Sequence, residues 1–161
     1  MPVFNGEIVQ DDAWTHVEAP GEVPLGGMVT VSLERWLALD DREGPNRWGV
    51  RLSPEDDPMS LRDTIEALAI IVLEVPKFKD GRVYSQAVLL RRRLGYRAEI
   101  RASGHIIPDQ FAFLRRCGVD TVFLAELRDV EAWQRNASRF RAAYQASVRG
   151  GPIIHRARAE G

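Results

Sequence analysis

The sequence predicts an α/β domain of about five βα units with a mainly parallel sheet, preceded by an N-terminal β-hairpin. Three observations carry this expectation. Short aliphatic runs alternate with amphipathic stretches at intervals of roughly 20–28 residues, the signature of repeated βα units. Ile70–Val75 is almost unbroken aliphatic sequence, as a strand buried on both faces requires. Two stretches, "LRRRLGYRAEI" and "LRRCGVDTVFL", end a helix with arginines and a glycine before a new strand, like echoes of one unit.

Each element follows from local chemistry. Val3-Phe4 and Glu7–Val9 flank Asn5-Gly6, a dipeptide that tolerates the positive φ angles of a type I′ hairpin turn. Trp14–Val17 adds a strand, followed by the Pro/Gly-rich loop "EAPGEVPLGG". Met28–Ser32 reads as a strand, Leu33–Leu39 as a brief helix and Trp48–Leu52 as the next strand. Ser60 is expected to cap a helix through Ala69, with Asp63 at the capping-box position and Leu61, Ile65 and Leu68 on one side. After Ile70–Val75, the apolar positions Val83, Ala87, Leu90 and Leu94 define a helix that Gly95 stops. Ala98–Ala102 is a strand, Asp109–Arg116 a helix stopped by Gly118, and Thr121–Ala125 a strand. The last helix runs from Val130 to about Ala146, with Trp133, Ala137, Phe140 and Tyr144 on its core stripe.

Residues 1–147 are thus expected to form a single α/β domain and 148–161 a loose tail. Five units are too few for a closed eight-unit barrel. The pattern favours an open three-layer sheet, with a half-barrel as the alternative.

Composition removes several function classes. A net charge of −1 over 161 residues gives no basic field for nucleic acid or an anionic membrane. The apolar run from Ala67 to Val75, interrupted by Glu74, is about half the length of a bilayer span. A single cysteine excludes an internal disulfide and, with no leader pattern at the start, fits a reducing cytoplasm. Cys117 and the scattered His16, His105 and His155 do not supply the ligands of a metal centre, and no glycine-rich nucleotide cradle occurs. The expectation is therefore a chain with no metal or other cofactor, a flavin held through backbone contacts being the exception to look for.

In a parallel α/β fold, ligand sites gather where loops leave the C-terminal ends of the strands. Lys77, Lys79, Asp80, Arg82, Tyr84 and Ser85 follow the third βα strand, and Arg101, Ser103, His105, Asp109 and Gln110 end or follow the fourth. Glu126 and Arg128 follow the fifth, and Arg51 and Ser53 the second. Cations beside helix N-termini suit a small oxyanion or a phosphate-bearing ligand, with Arg82 and Arg101 as a fork-shaped clamp. His105 beside Asp109 has the chemistry for proton transfer. Asp80 and Asp109 equally suit helix capping; Arg91–Arg93 suit a solvated, structural role at a helix end, and Cys117 suits packing. No activated nucleophile is evident, so whether the chain is an enzyme stays open.

The run "FKDGRVYSQAVLLRRRLGYRAEIRASGHIIPDQFAFLRRCGVDTVF" resembles a bacterial domain-of-unknown-function family (number nine-three-four), most specifically from Pro76 to Phe123. Members of that family are described as oxidoreductases of sulfite reduction, encoded beside sulfite reductase. The resemblance implies an accessory of sulfite reduction that binds a small oxyanion or docks on sulfite reductase. An enzyme of unrecognised type, or a purely structural interaction protein, are the alternatives. His105 stands where an acidic residue is common in the family.

Overall fold

A computed structural model describes residues 2–40, 42–77, 79–124 and 130–138. The strands are β1 (Pro2–Phe4), β2 (Val9–Asp11), β3 (Thr15–His16), β4 (Gly27–Ser32), β5 (Asn46–Leu52), β6 (Leu68–Val75), β7 (Glu99–Gly104) and β8 (Thr121–Phe123). The helices are α1 (Leu33–Ala38), α2 (Arg82–Arg92), α3 (Pro108–Cys117) and α4 (Val130–Ser138). One sheet contains all these strands in the order β2-β1-β8-β7-β6-β5-β4-β3. Strands β3 to β8 are parallel, and the β1–β2 hairpin joins β8 antiparallel.

This order decides between the two expected architectures. From β3 to β8 the chain always steps to the next position on the same side. Right-handed crossovers then place every connecting segment on one face. A three-layer sandwich needs a reversal of strand order to put helices on the other face. None occurs here, and the sheet is the curled half-barrel.

The curl is enforced by a short connection. β2 and β3 lie at opposite edges of the sheet, yet only Asp12, Ala13 and Trp14 separate Asp11 from Thr15. Four Cα steps reach at most about 14 Å. Seven inter-strand gaps would make a flat sheet about 34 Å wide. The edges must therefore approach one another. His16 on β3 packs edge-on against Phe123 on β8 with ring centroids 5.3 Å apart, and Trp14 joins Val3, Ile70, Val72 and Phe123 in the concave face.

The register assigns every side chain to a face. Val31, Val50, Leu52, Ile71, Leu73, Ile100, Ala102 and Val122 form the core under the helices, meeting Val83, Ala87 and Leu90 of α2 and Phe111 and Leu114 of α3. Trp133 of α4 sits against Phe4 and Phe111 at 6.0 and 5.8 Å, as its place on the predicted stripe requires. The concave row reads Ser32, Arg51, Val72, Arg101, Thr121. Arg91 is not solvated as expected. It leaves the end of α2 to bond the carbonyls of Tyr96, Ala98 and Gly118 and the carboxylate of Asp120.

Two local expectations change. The β1–β2 loop spans residues 5–8 instead of a two-residue turn, because the Asn5 carboxamide accepts the N–H groups of Glu7 and Ile8. The helix expected from Ser60 to Ala69 is two 3₁₀ turns, Pro58–Leu61 and Ile65–Ala67. Asp57, not Ser60, is the cap, accepting the Met59 N–H, and Pro58 starts the turn. Leu68 is already taken by the sheet through its pairing with Trp48, which leaves too little chain for an α-helix. Leu61, Ile65 and Leu68 are nonetheless buried together. The strand end at Ala125, the edge residues Glu126 and Arg128, the stripe positions Phe140 and Tyr144 and the boundary at 147 lie outside the described residues. No helix among the described residues is long and apolar enough to cross a membrane.

Gly104 fixes the end of β7. Its φ of +111° suits glycine, and a Cβ there would lie 2.3 Å from the carbonyl oxygen of Val75. Gly104→Ala is expected to cost about 1–3 kcal/mol, a loss of roughly 3–10 °C in Tm. A melting curve superimposable on the wild type would contradict this packing.

Candidate functional site

The C-terminal edge of the parallel strands gathers most of the residues that the sequence singles out. Lys77 follows β6, and its carbonyl accepts the Asp80 N–H in a turn that leads into α2. Asp80 binds Arg82 through both carboxylate oxygens, at 2.9 and 2.7 Å, and Arg82 also reaches Glu55 at 3.0 Å. The Arg82 guanidinium and backbone N–H hold the Asp80 carboxyl down to about 2, and the two carboxylates raise the Arg82 pKa further. Asp80 therefore both accepts the Arg82 N–H at the first position of α2 and ties up the arginine expected to hold a ligand.

Tyr84 and Gln110 meet across the α2–α3 seam. Burial pushes the Tyr84 phenol up, with the hydrogen bond from Gln110 acting against it. Gln110 also accepts the Ile107 N–H at 3.2 Å, closing the first turn of α3. Tyr84 packs on Phe113 at 4.7 Å. His105 stands just past β7, its N–H bonded to the Val75 carbonyl. The side chains of Lys77, Lys79, Ser85, His105 and Asp109 are exposed at this edge or on the first turns of α2 and α3. Cys117 is buried, and burial raises its thiol pKa against the pull of Arg116 and Arg92, so it is a packing group and not a thiolate.

Arg101 is not part of this edge. Alternation along β7 turns Ile100 and Ala102 toward the helices and Arg101 into the concave face, whereas Arg82 begins a helix on the other side of the sheet. The two guanidinium groups cannot form one fork. Arg101 is 3% exposed, and its partner Asp12 is 2% exposed. A charge so buried requires compensation. Arg101 Nη1 donates to Asp12 at 2.6 Å, Nη2 to Glu99 at 2.8 Å, and Nε to Glu99 and to the Thr121 hydroxyl. Thr121 donates in turn to Glu99 at 2.6 Å, and the guanidinium lies over the Phe123 ring at 5.0 Å.

The other Asp12 oxygen lies 2.7 Å from His16 Nε2, and His16 Nδ1 lies 2.6 Å from the Thr30 hydroxyl. This Asp–His–Thr order has the form of a nucleophile relay. Thr30 is completely buried, however, and no substrate can reach its oxygen. The chain of bonds is an internal brace. Burial acts to raise the Asp12 pKa, but hydrogen bonds from Arg101, His16 and the Trp14 N–H, with the Arg101 charge, outweigh it and hold the carboxyl below its ordinary value. Sequence reading missed this network. Its available signal was an arginine set between apolar residues inside a strand, which demands a buried carboxylate somewhere.

Among the described residues no three His, Cys, Asp or Glu side chains group so as to hold a metal ion. A groove of about 610 Å³ opens at the opposite, N-terminal edge of β6 and β7, lined by Arg62, Glu66, Leu68, Tyr96 and Arg97 among others. The model of a family described as "Bacterial protein of unknown function (DUF934)" matches residues 49–154. The chain belongs to this family. No curated protein matches the sequence. The DUF934 match takes in Arg51, Arg82, Arg91 and Arg101, whereas Asp12, His16 and Thr30 precede it. Gly104, Arg91 and Arg101, all within the matched residues, carry structural work here: a strand end, a loop clasp and a buried ion pair.

Both Asp12 and Asp80 are depressed in the folded chain. Such carboxylates contribute stability that is fully present above the unfolded value near 4 and is lost as pH falls through the folded values. The melting temperature is expected to drop as pH is lowered from about 4 to about 2, and Asp12→Asn and Asp80→Asn each to remove part of that slope. Melting that is flat across this range would contradict the assignment.

Proposed function

We propose that the protein is an accessory of sulfite reduction that docks on sulfite reductase and does not itself carry out the many-electron reduction. The reading joins the implication of the family resemblance to one structural observation, an aromatic and basic surface along the α2–α3 seam. Phe113 is 47% exposed although it is large and apolar. It packs at a tilt against Tyr84, with Arg116 over its ring at 5.9 Å. The sequence of α2 contains no acidic residue, and Arg92 and Arg93 are exposed at its end. Aromatic and arginine side chains are the residue types that most often anchor protein interfaces. The fitting partner surface is acidic around an apolar pocket.

A second reading is oxyanion binding at the C-terminal edge by Lys77, Lys79 and His105 near the α2 and α3 N-termini, with Tyr84, Ser85, Asp109 and Gln110 alongside. The engagement of Arg82 by Asp80 and Glu55 removes the strongest donor from that edge. An enzyme of unrecognised type is the reading that a stoichiometric flavin or iron absorption band would favour.

Docking is tested by titrating the purified chain against sulfite reductase of the same organism at low salt. Wild type is expected to form a complex that Phe113→Glu weakens about 30-fold without a change in Tm. Wild type that forms no complex, or a variant that binds equally well, contradicts the proposal.

A further inference from the structure

Arg51 occupies the same concave row as Arg101, two strands away across Val72, but its surroundings differ. It is 9% exposed. Nη2 donates to the Val17 carbonyl at 3.0 Å, Nη1 is bonded by the carboxylate of Glu18, and Glu74 stands 3.8 Å from Nε. The buried Nε–H has no hydrogen-bond acceptor. Arg101 is satisfied by a carboxylate locked inside the fold. Arg51 is met by one that is 79% exposed, at the start of the loop between β3 and β4. The backbone of that loop is tied down on both sides of Glu18: the Val17 N–H bonds the Thr30 carbonyl, and Arg35 bonds the Gly21 carbonyl. The Glu18 side chain can therefore leave without unfolding the loop.

A nearly buried guanidinium with a spare donor, near the C-terminal end of a parallel strand, is built to take a planar pair of oxygens. We propose that Arg51 is the anion-holding group of a second site, at the mouth of the concave face, for a small oxyanion, and that Glu18 occupies this site in the unliganded chain as a built-in competitor. Exchange swaps one carboxylate for another anion on Nη1 and brings it within reach of Nε. Glu74, beside Nε, selects an anion that carries its own O–H, such as hydrogen phosphate or a protonated sulfur oxyacid, because that hydroxyl can donate to it. The half-buried Ser103, paired with Glu74 in the ladder, shares this face. The inference is independent of docking, since Arg51 and the α2–α3 seam lie on opposite faces of the sheet.

The test uses the full chain, wild type and Glu18→Gln, titrated with phosphate, sulfite, sulfate or acetate at constant ionic strength. Calorimetry is combined with the Arg51 Nε–H resonance in an arginine-edited NMR spectrum. Glu18→Gln, freed of the competitor, is expected to bind about tenfold more tightly than wild type and to shift the Arg51 resonance on binding. Phosphate and sulfite exceeding sulfate and acetate supports selection by Glu74. An Arg51 resonance in folded Glu18→Gln that moves with none of these anions, or no more than with chloride, overturns the site.

Discussion

A guanidinium inside a curled sheet must be neutralised by whatever the fold brings to it, and much of this structure follows from how Arg101 is served. Its main partner, Asp12, comes from the three-residue link that joins the two edges of the sheet. The same carboxylate reaches His16 on β3, and through it Thr30 on β4. One residue thus connects the hairpin edge, the middle of the sheet and the far edge. Curvature and charge compensation are one constraint: a flatter sheet would carry Asp12 away from Arg101 and leave a buried charge with Glu99 alone.

One-way winding then divides the molecule by face. Helices cover the convex side and take the long aliphatic run, so the concave side is left to side chains short enough, or paired well enough, to fill a narrow interior. Gly49 lies between Thr30 and Ile70 on that side, where a Cβ would come within 2.3 Å of Ile70. The faces also separate two kinds of surface. The α2–α3 seam carries the exposed Phe113 beside Tyr84, while the mouth of the concave face carries Arg51 bonded to Glu18.

The alternation of strands and helices was legible because each depends on local periodicity and on glycine stops; Gly95 and Gly118 do adopt positive φ at the helix ends. The sharing of one edge by Lys77, Asp80, Tyr84, His105 and Gln110 was legible from chain order alone, because parallel strands put all their exits together. Strand order was not legible, since right-handed crossovers fit both a one-way and a reversed sheet. Nor was the fate of Arg101. Its partner lies 89 positions away in the chain, and nothing local to "EIRAS" distinguishes a ligand clamp from a brace. Period-two alternation around Ile100 and Ala102 did contain the warning that Arg101 faces away from Arg82. The role of Arg91 was hidden for a different reason: three consecutive arginines look alike, and only the packing of the loops after α2 and α3 selects one of them.

The coupling of Asp12 to Arg101 holds the curled sheet closed, and a double-mutant cycle measures it directly. Unfolding free energies of the wild type, Asp12→Asn, Arg101→Met and the double variant are obtained from denaturant titrations. Each single change is expected to cost about 3–5 kcal/mol, because it leaves a buried group without its counterpart. The double variant is expected to cost about 2–3 kcal/mol less than the sum of the two single changes. Costs that simply add would mean that the two residues stabilise the chain independently, and that the curled sheet is held by something else.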